Sequence, residues 1–238
     1  MEVPVRFARR SILIAAILAM FGVADAGPFD DGQNAYRRHD YATALQVWRA
    51  LADHGFAPAQ DKLGDMYFVG EGVAQDYVKA MRWSRLAADQ GYANAQAKPG
   101  AMYESGMGVS RDYAEAMKWY RKAVDQGFAP AQAKLGYMYQ SGEGVSQDYS
   151  EAVKWYRLAA DHGDAVGQNN LSVMYTNGQG VPQDYIRAHM WSTLAVSGGE
   201  DIATRHLAVH NRALVAAKMT PDEIAVAQRL ARVWKPTK

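Results

Sequence analysis

The chain has 238 residues, 49% of them hydrophobic, and no cysteine, which excludes disulfides, thiolate metal sites, a thiol nucleophile and a lipid carried on an N-terminal cysteine. Its 26 basic and 25 acidic side chains leave a formal charge of +1 and are scattered along the sequence, so neither a nucleic-acid groove nor a polybasic membrane patch is expected. Stability must come from packing.

Residues 1–26 read as a cleavable export signal. Arg6, Arg9 and Arg10 precede an apolar stretch from Ile12 to Val23, and Ala24-Asp25-Ala26 offers small residues where a signal peptidase reads, so cleavage is expected near Ala26. The apolar run is shorter than the roughly 20 residues that span a bilayer, so no stable membrane insertion is expected after cleavage. The destination is then periplasmic or secreted, and the remaining chain carries 23 basic and 23 acidic groups.

Residues 27–56 read as a short tetratricopeptide-like helix pair, with Tyr36 in its first helix and Asp40-Tyr41, Ala44 and Trp48 in its second. This pair is expected to cap the N-terminal side. A period begins after it. Gly55, Gly91, Gly127, Gly163 and Gly199 stand thirty-six residues apart, and other columns keep the same step. Met66-Tyr67 recurs at Met102, Met138 and Met174, and Gly-x-Gly-Val turns begin at Gly70, Gly106, Gly142 and Gly178. Asp76-Tyr77, Ala80 and Trp83 recur as Asp112, Asp148 and Asp184 with their following alanines and tryptophans. Four units follow: 57–92, 93–128, 129–164 and 165–200.

Each unit predicts two helices. In the first, from about Pro58 to Val69, Ala59, Leu63, Met66 and Tyr67 recur at helical spacing, and Gly70 stands where a left-handed C-terminal residue is wanted. Asp76 is placed to cap the second helix; Asp112 and Asp148 add Glu115 and Glu151 three residues on, as a capping box would. Along that helix Tyr77, Ala80, Trp83 and Ala87 form one apolar stripe. A lone pair cannot cover its stripe, whereas stacking on neighbours does so, each large apolar side chain contributing roughly 1.5 to 3 kcal/mol. Unit two departs from the pattern at Pro99, in the column of Leu63, Leu135 and Leu171, which predicts a kink or a late start to that helix.

Residues 201–238 are expected to form C-terminal capping helices. Thr220-Pro221-Asp222-Glu223 combines an N-cap hydroxyl, a first-turn proline and a box-closing glutamate, and the helix from about 221 to 234 should turn Ile224, Leu230 and Trp234 inward. Two capped ends predict a monomer.

The pattern Leu-Gly-x-Met-Tyr, Gly-x-Gly-Val and Asp-Tyr-x-x-Ala-x-x-Trp-Tyr, as it stands from Leu135 to Tyr156, resembles the Sel-one-like repeat, a cousin of the tetratricopeptide repeat. The resemblance implies an all-α fold, a right-handed α-solenoid of stacked antiparallel helix pairs, used as an adaptor or scaffold without chemistry of its own. A secreted branch of that family is cysteine-rich and linked to penicillin binding; this chain has none of those cysteines.

Columns that vary between units are where a partner could be read. On the first helices these are Asp61, Asp65 and Phe68, then Ala97, Ala101 and Glu104, then Ala133, Tyr137 and Gln140, then Asn169, Val173 and Thr176. Spacings of four and three put each trio on one helical face. By the resemblance this face lines the concave groove, where a protein or peptide partner would dock. Asp61, Asp65 and Glu104 make its first half acidic, which favours a mildly basic or aromatic ligand.

Enzymatic signatures are weak. His206 and His210 stand one turn apart near Glu200 and Asp201, but the residue after His206 is Leu207, not the glutamate of a zinc-protease helix, and no metal site is expected. No Ser-x-x-Lys or Gly-x-Ser-x-Gly motif occurs, no cofactor is implied, and His54 and His162 suit helix C-termini. A non-enzymatic binding module of the cell envelope is therefore the leading expectation. The alternative is an envelope hydrolase or a β-lactam- or peptidoglycan-binding protein.

Overall fold

A computed structural model describes residues 27–199 and 201–237; the export signal expected over residues 1–26 lies outside them. The described residues form twelve helices and no strand. The first pair is α1 (Pro28–Arg37) and α2 (Tyr41–Asp53). The repeats supply α3 (Ala57–Val69) and α4 (Tyr77–Asp89), α5 (Ala93–Ser105) and α6 (Tyr113–Val124), α7 (Ala129–Ser141) and α8 (Tyr149–Asp161), and α9 (Ala165–Asn177) and α10 (Tyr185–Gly198). The chain closes with α11 (Ile202–Ala216) and α12 (Pro221–Val233). It is an all-α solenoid of tandem helix pairs.

The same chemistry starts the second helix of the first pair and of every repeat. Asp40, Asp76, Asp112, Asp148 and Asp184 each accept a backbone N–H from the third residue on, at 2.9 to 3.1 Å. The expected boxes at Glu115 and Glu151 do not close. Their carboxylates turn to Lys118 at 2.5 Å and Lys154 at 2.7 Å instead, and the reciprocal box forms at Thr220 and Glu223. First helices end as expected, with Gly70, Gly106, Gly142 and Gly178 in the left-handed region.

The second glycine of each turn explains why the period exists at all. A β-carbon on Gly108 would lie 2.2 Å from the carbonyl oxygen of Tyr77, and one on Gly180 would lie 2.2 Å from that of Tyr149. Gly72 meets Tyr41 and Gly144 meets Tyr113 in the same way. The turn of one repeat thus rests on the capped start of the second helix of the preceding one. The Gly-x-Gly and Asp-Tyr columns are two halves of one contact.

The chain divides into two compact units between Ser110 and Arg111, inside the turn that joins α5 to α6. In the first unit the core gathers Trp48, Leu63, Met66, Tyr67, Met81, Trp83 and Met102 around buried Ala35, Ala44, Ala59 and Ala80. The Tyr36 hydroxyl donates to Glu71, and that hydrogen bond, with burial, pushes the phenol up to about 12. In the second unit the core gathers Tyr156, Leu171, Met174, Tyr175, Trp191 and Val215. There the tail after α12 folds back, with Trp234 edge-on to Trp191 at 5.9 Å and Thr237 donating from N and Oγ1 to the Asp161 carbonyl.

Of the kink or late start expected at Pro99 the late start is overturned, and the inward stripe expected on α12 is corrected as well. Helix α5 runs unbroken through buried Pro99 and begins at Ala93, in step with Ala57, Ala129 and Ala165, so there is no late start. Tertiary packing holds it: Ala95 and Met102, on either side of the proline, are both buried. On α12, Leu230 is exposed and Ala227 and Ala231 are the buried residues, so the inward stripe is narrower and lined by small side chains.

Candidate partner-binding face

In the first unit the candidate residues lie on α3 and α5. Asp61 is buried, and its Oδ1 lies 2.6 Å from Lys98 Nζ, which also lies 2.5 Å from Asp65 Oδ1. Burial pushes the Asp61 carboxyl up, with Lys98 opposing; burial likewise pulls the Lys98 ammonium down, but the two carboxylates outweigh it and hold it charged. Lys62 adds a looser contact to Asp65 at 3.9 Å. The carboxylates expected to make this half acidic are therefore largely spent on lysines. The column of Lys98 is lysine in units one to three, a pattern that in sequence reads as an ordinary solvated position. Phe68 is 38% exposed and packs edge-on to Tyr77; Ala101 is exposed, and Ala97 and Glu104 are half-buried.

In the second unit the candidates lie on α7 and α9. Ala133 and Asn169 are buried, and Asn169 Oδ1 accepts from Asn211 Nδ2 at 2.9 Å. Tyr137 is 43% exposed. Gln140 is half-buried and accepts from the Tyr156 hydroxyl at 2.6 Å, while the Thr176 hydroxyl donates to the Ser172 carbonyl at 2.8 Å, beside half-buried Val173. In each unit the fifth residue of the first helix turns inward to packing, except at Ala97, which is half-buried. The ninth and twelfth residues remain accessible to varying degree.

A buried polar column, outside the residues expected from sequence, runs through the repeats. Gln60, Gln96, Gln132 and Gln168 are all buried. Gln60 Nε2 donates to the Ala52 carbonyl at 3.1 Å and Gln168 Nε2 to the Ala160 carbonyl at 3.3 Å, so the amide satisfies an end carbonyl of the helix before it. Gln60 Oε1 accepts from Gln90 at 2.6 Å, and Gln132 Oε1 lies 3.0 Å from His162 Nδ1. The signal was available: one polar residue type kept at the thirty-six-residue step amid apolar neighbours.

His206 and His210 are exposed on α11, and among the described residues no group of three or more histidine, aspartate or glutamate side chains is placed to hold a metal. No helix among the described residues is long and apolar enough to cross a membrane.

The Sel1 repeat model matches residues 57–92, 93–128, 129–164 and 165–200, more than half of the chain. This chain belongs to the Sel1 repeat family. Sel1 repeat proteins are typically protein-interaction scaffolds. Among solved structures, a Sel1 repeat protein from Oxalobacter formigenes is similar, with 31% identity and a TM-score of 0.70 over 88% of this chain and 86% of that one. So is c5321, described as a protective antigen of uropathogenic Escherichia coli with an SLR fold, at 34% identity and a TM-score of 0.69 over 87% of this chain. The chain spans 45% of the length of that Escherichia coli protein. No curated protein matches the sequence.

Proposed function

We propose that this Sel1 repeat protein is a non-enzymatic adaptor of the cell envelope that captures a protein or peptide on the first-helix faces of its repeats. The observation that carries it is the pair Phe68 and Tyr137, large side chains left 38% and 43% exposed at columns whose occupants change from repeat to repeat. Aromatic side chains on an otherwise polar surface are the usual anchors of a protein interface. In the first unit Asp65, Ala101 and Glu104 share these columns with Phe68, and in the second Gln140, Val173 and Thr176 share them with Tyr137, while Asp61, Ala133 and Asn169 are buried. The envelope address rests on the basic and apolar pattern of residues 1–26 and on the likeness to an antigen of uropathogenic Escherichia coli.

Photo-crosslinking in cells tests the proposal. A photoreactive residue at Phe68 or Tyr137 should give discrete adducts, and one at Val78, exposed on a second helix, should not. Equal labelling at all three, or none, would remove the basis for the face.

A further inference from the structure

In the second unit a cavity of about 600 Å³ opens between α10, α11 and α12, lined by His189, Thr193 and Ser197 from α10, Arg212 from α11, and Gln228 and Arg232 from α12, with Leu194 and Ala231 as its apolar wall. His189, Thr193 and Ser197 are four residues apart and form one stripe of α10.

All three depart from the repeat. In the column of His189 the earlier repeats carry Met81, Met117 and Val153, each buried. In that of Thr193 they carry Arg85, Arg121 and Arg157, and in that of Ser197 they carry Asp89, Asp125 and Asp161. The last repeat has replaced an apolar plug by an imidazole and a carboxylate by a hydroxyl, both in the lining of the cavity that Arg212 and Arg232 also line. No acidic residue lines the cavity, and neither guanidinium has an ion-pair partner among the described residues. His189 is 4% exposed, and among the described residues its ring has one hydrogen-bond contact, from Nδ1 to the Thr193 hydroxyl at 3.4 Å.

We propose that this cavity binds a small ligand through an oxyanion, a carboxylate or phosphate group held between Arg212 and Arg232. Planar guanidinium forks match both groups with paired, charge-assisted hydrogen bonds. The Thr193 and Ser197 hydroxyls donate to the His189 and Thr193 carbonyls at 2.8 and 3.2 Å and form a polar wall; the Gln228 amide and the His189 Nε2–H tautomer supply further donors, and Leu194 and Ala231 take the hydrocarbon part. The volume is that of an ordinary small-molecule site.

Calorimetric titration of the purified protein with inorganic phosphate, with succinate and with uncharged succinamide at matched ionic strength tests this. Phosphate or succinate should bind saturably with one site, and succinamide should not; whichever anion binds more tightly identifies the source of the group. The Arg212→Gln/Arg232→Gln variant should weaken that binding at least tenfold. His189→Met restores the framework residue of the first two repeats, so it keeps the fold while filling the cavity, and it should weaken binding several-fold. Failure of both anions to bind the unaltered protein would overturn the proposal. So would affinity unchanged in His189→Met and, where it folds, in the double arginine variant.

Discussion

Gly108 combines a positive φ of +72° with a β-carbon position 2.2 Å from the Tyr77 carbonyl, whereas Gly55, also at positive φ, has nothing within 4 Å of its missing β-carbon. The two separate conformational from steric cost. Gly55→Ala pays only for the left-handed backbone, about 1 kcal/mol. Gly108→Ala must in addition push one repeat off the next, so it should cost about 2 kcal/mol more, read as the difference in denaturant midpoint. Equal losses would mean that the turn glycines serve backbone geometry alone. His189 makes a second residue-scale case. Burial, then the charge of Arg212, hold its imidazole below the ordinary 6.5, with Arg232 the other cation lining its cavity. The unfolded chain therefore takes up the proton first as pH falls. Stability from this residue is complete above 6.5 and declines as pH drops from there through the folded value. His189→Met should flatten the slope of melting temperature against pH in that window, and an unaltered slope would assign it to other groups.

At the scale of helices, the period of thirty-six was readable because capping aspartates, turn glycines and small buried columns all follow from backbone geometry that repeats with the chain. What was not readable is coverage along a helix axis. Asp61, Asp65 and Phe68 share one azimuth, as their spacing says, but spacing is silent on how far the neighbouring helix reaches. Lys98 covers Asp61 and Asn211 covers Asn169, so the first column is packing apart from half-buried Ala97, and the other two stay accessible to varying degree. The same limit explains Leu230, which shares the spacing of an inward stripe yet is exposed beside buried Ala227 and Ala231. Helix α5 shows local propensity losing to packing. Pro99 removes the hydrogen bond to the Ala95 carbonyl, yet the helix keeps the thirteen residues of its siblings. Pro99→Leu restores both that bond and the leucine of the column, so it should raise stability by about 2 to 3 kcal/mol, seen as a higher melting temperature. A lower one would show that the site has adapted to proline.

For the whole molecule, the repeat sorts residues by task. Columns held constant, from Asp-Tyr to the buried glutamines, build helix pairs and join them within each unit. Columns that vary are left to carry a partner, and the last repeat alters framework positions around a cationic cavity. That division predicts that binding and stability can be separated by mutation. The most direct measurement is the Phe68→Ala/Tyr137→Ala variant, followed for both melting temperature and capture of the crosslinked partner. Both side chains are partly exposed, so the melting temperature should stay within a few degrees while capture falls at least tenfold. Undiminished capture by the folded variant would contradict the assignment of the partner to the first-helix face.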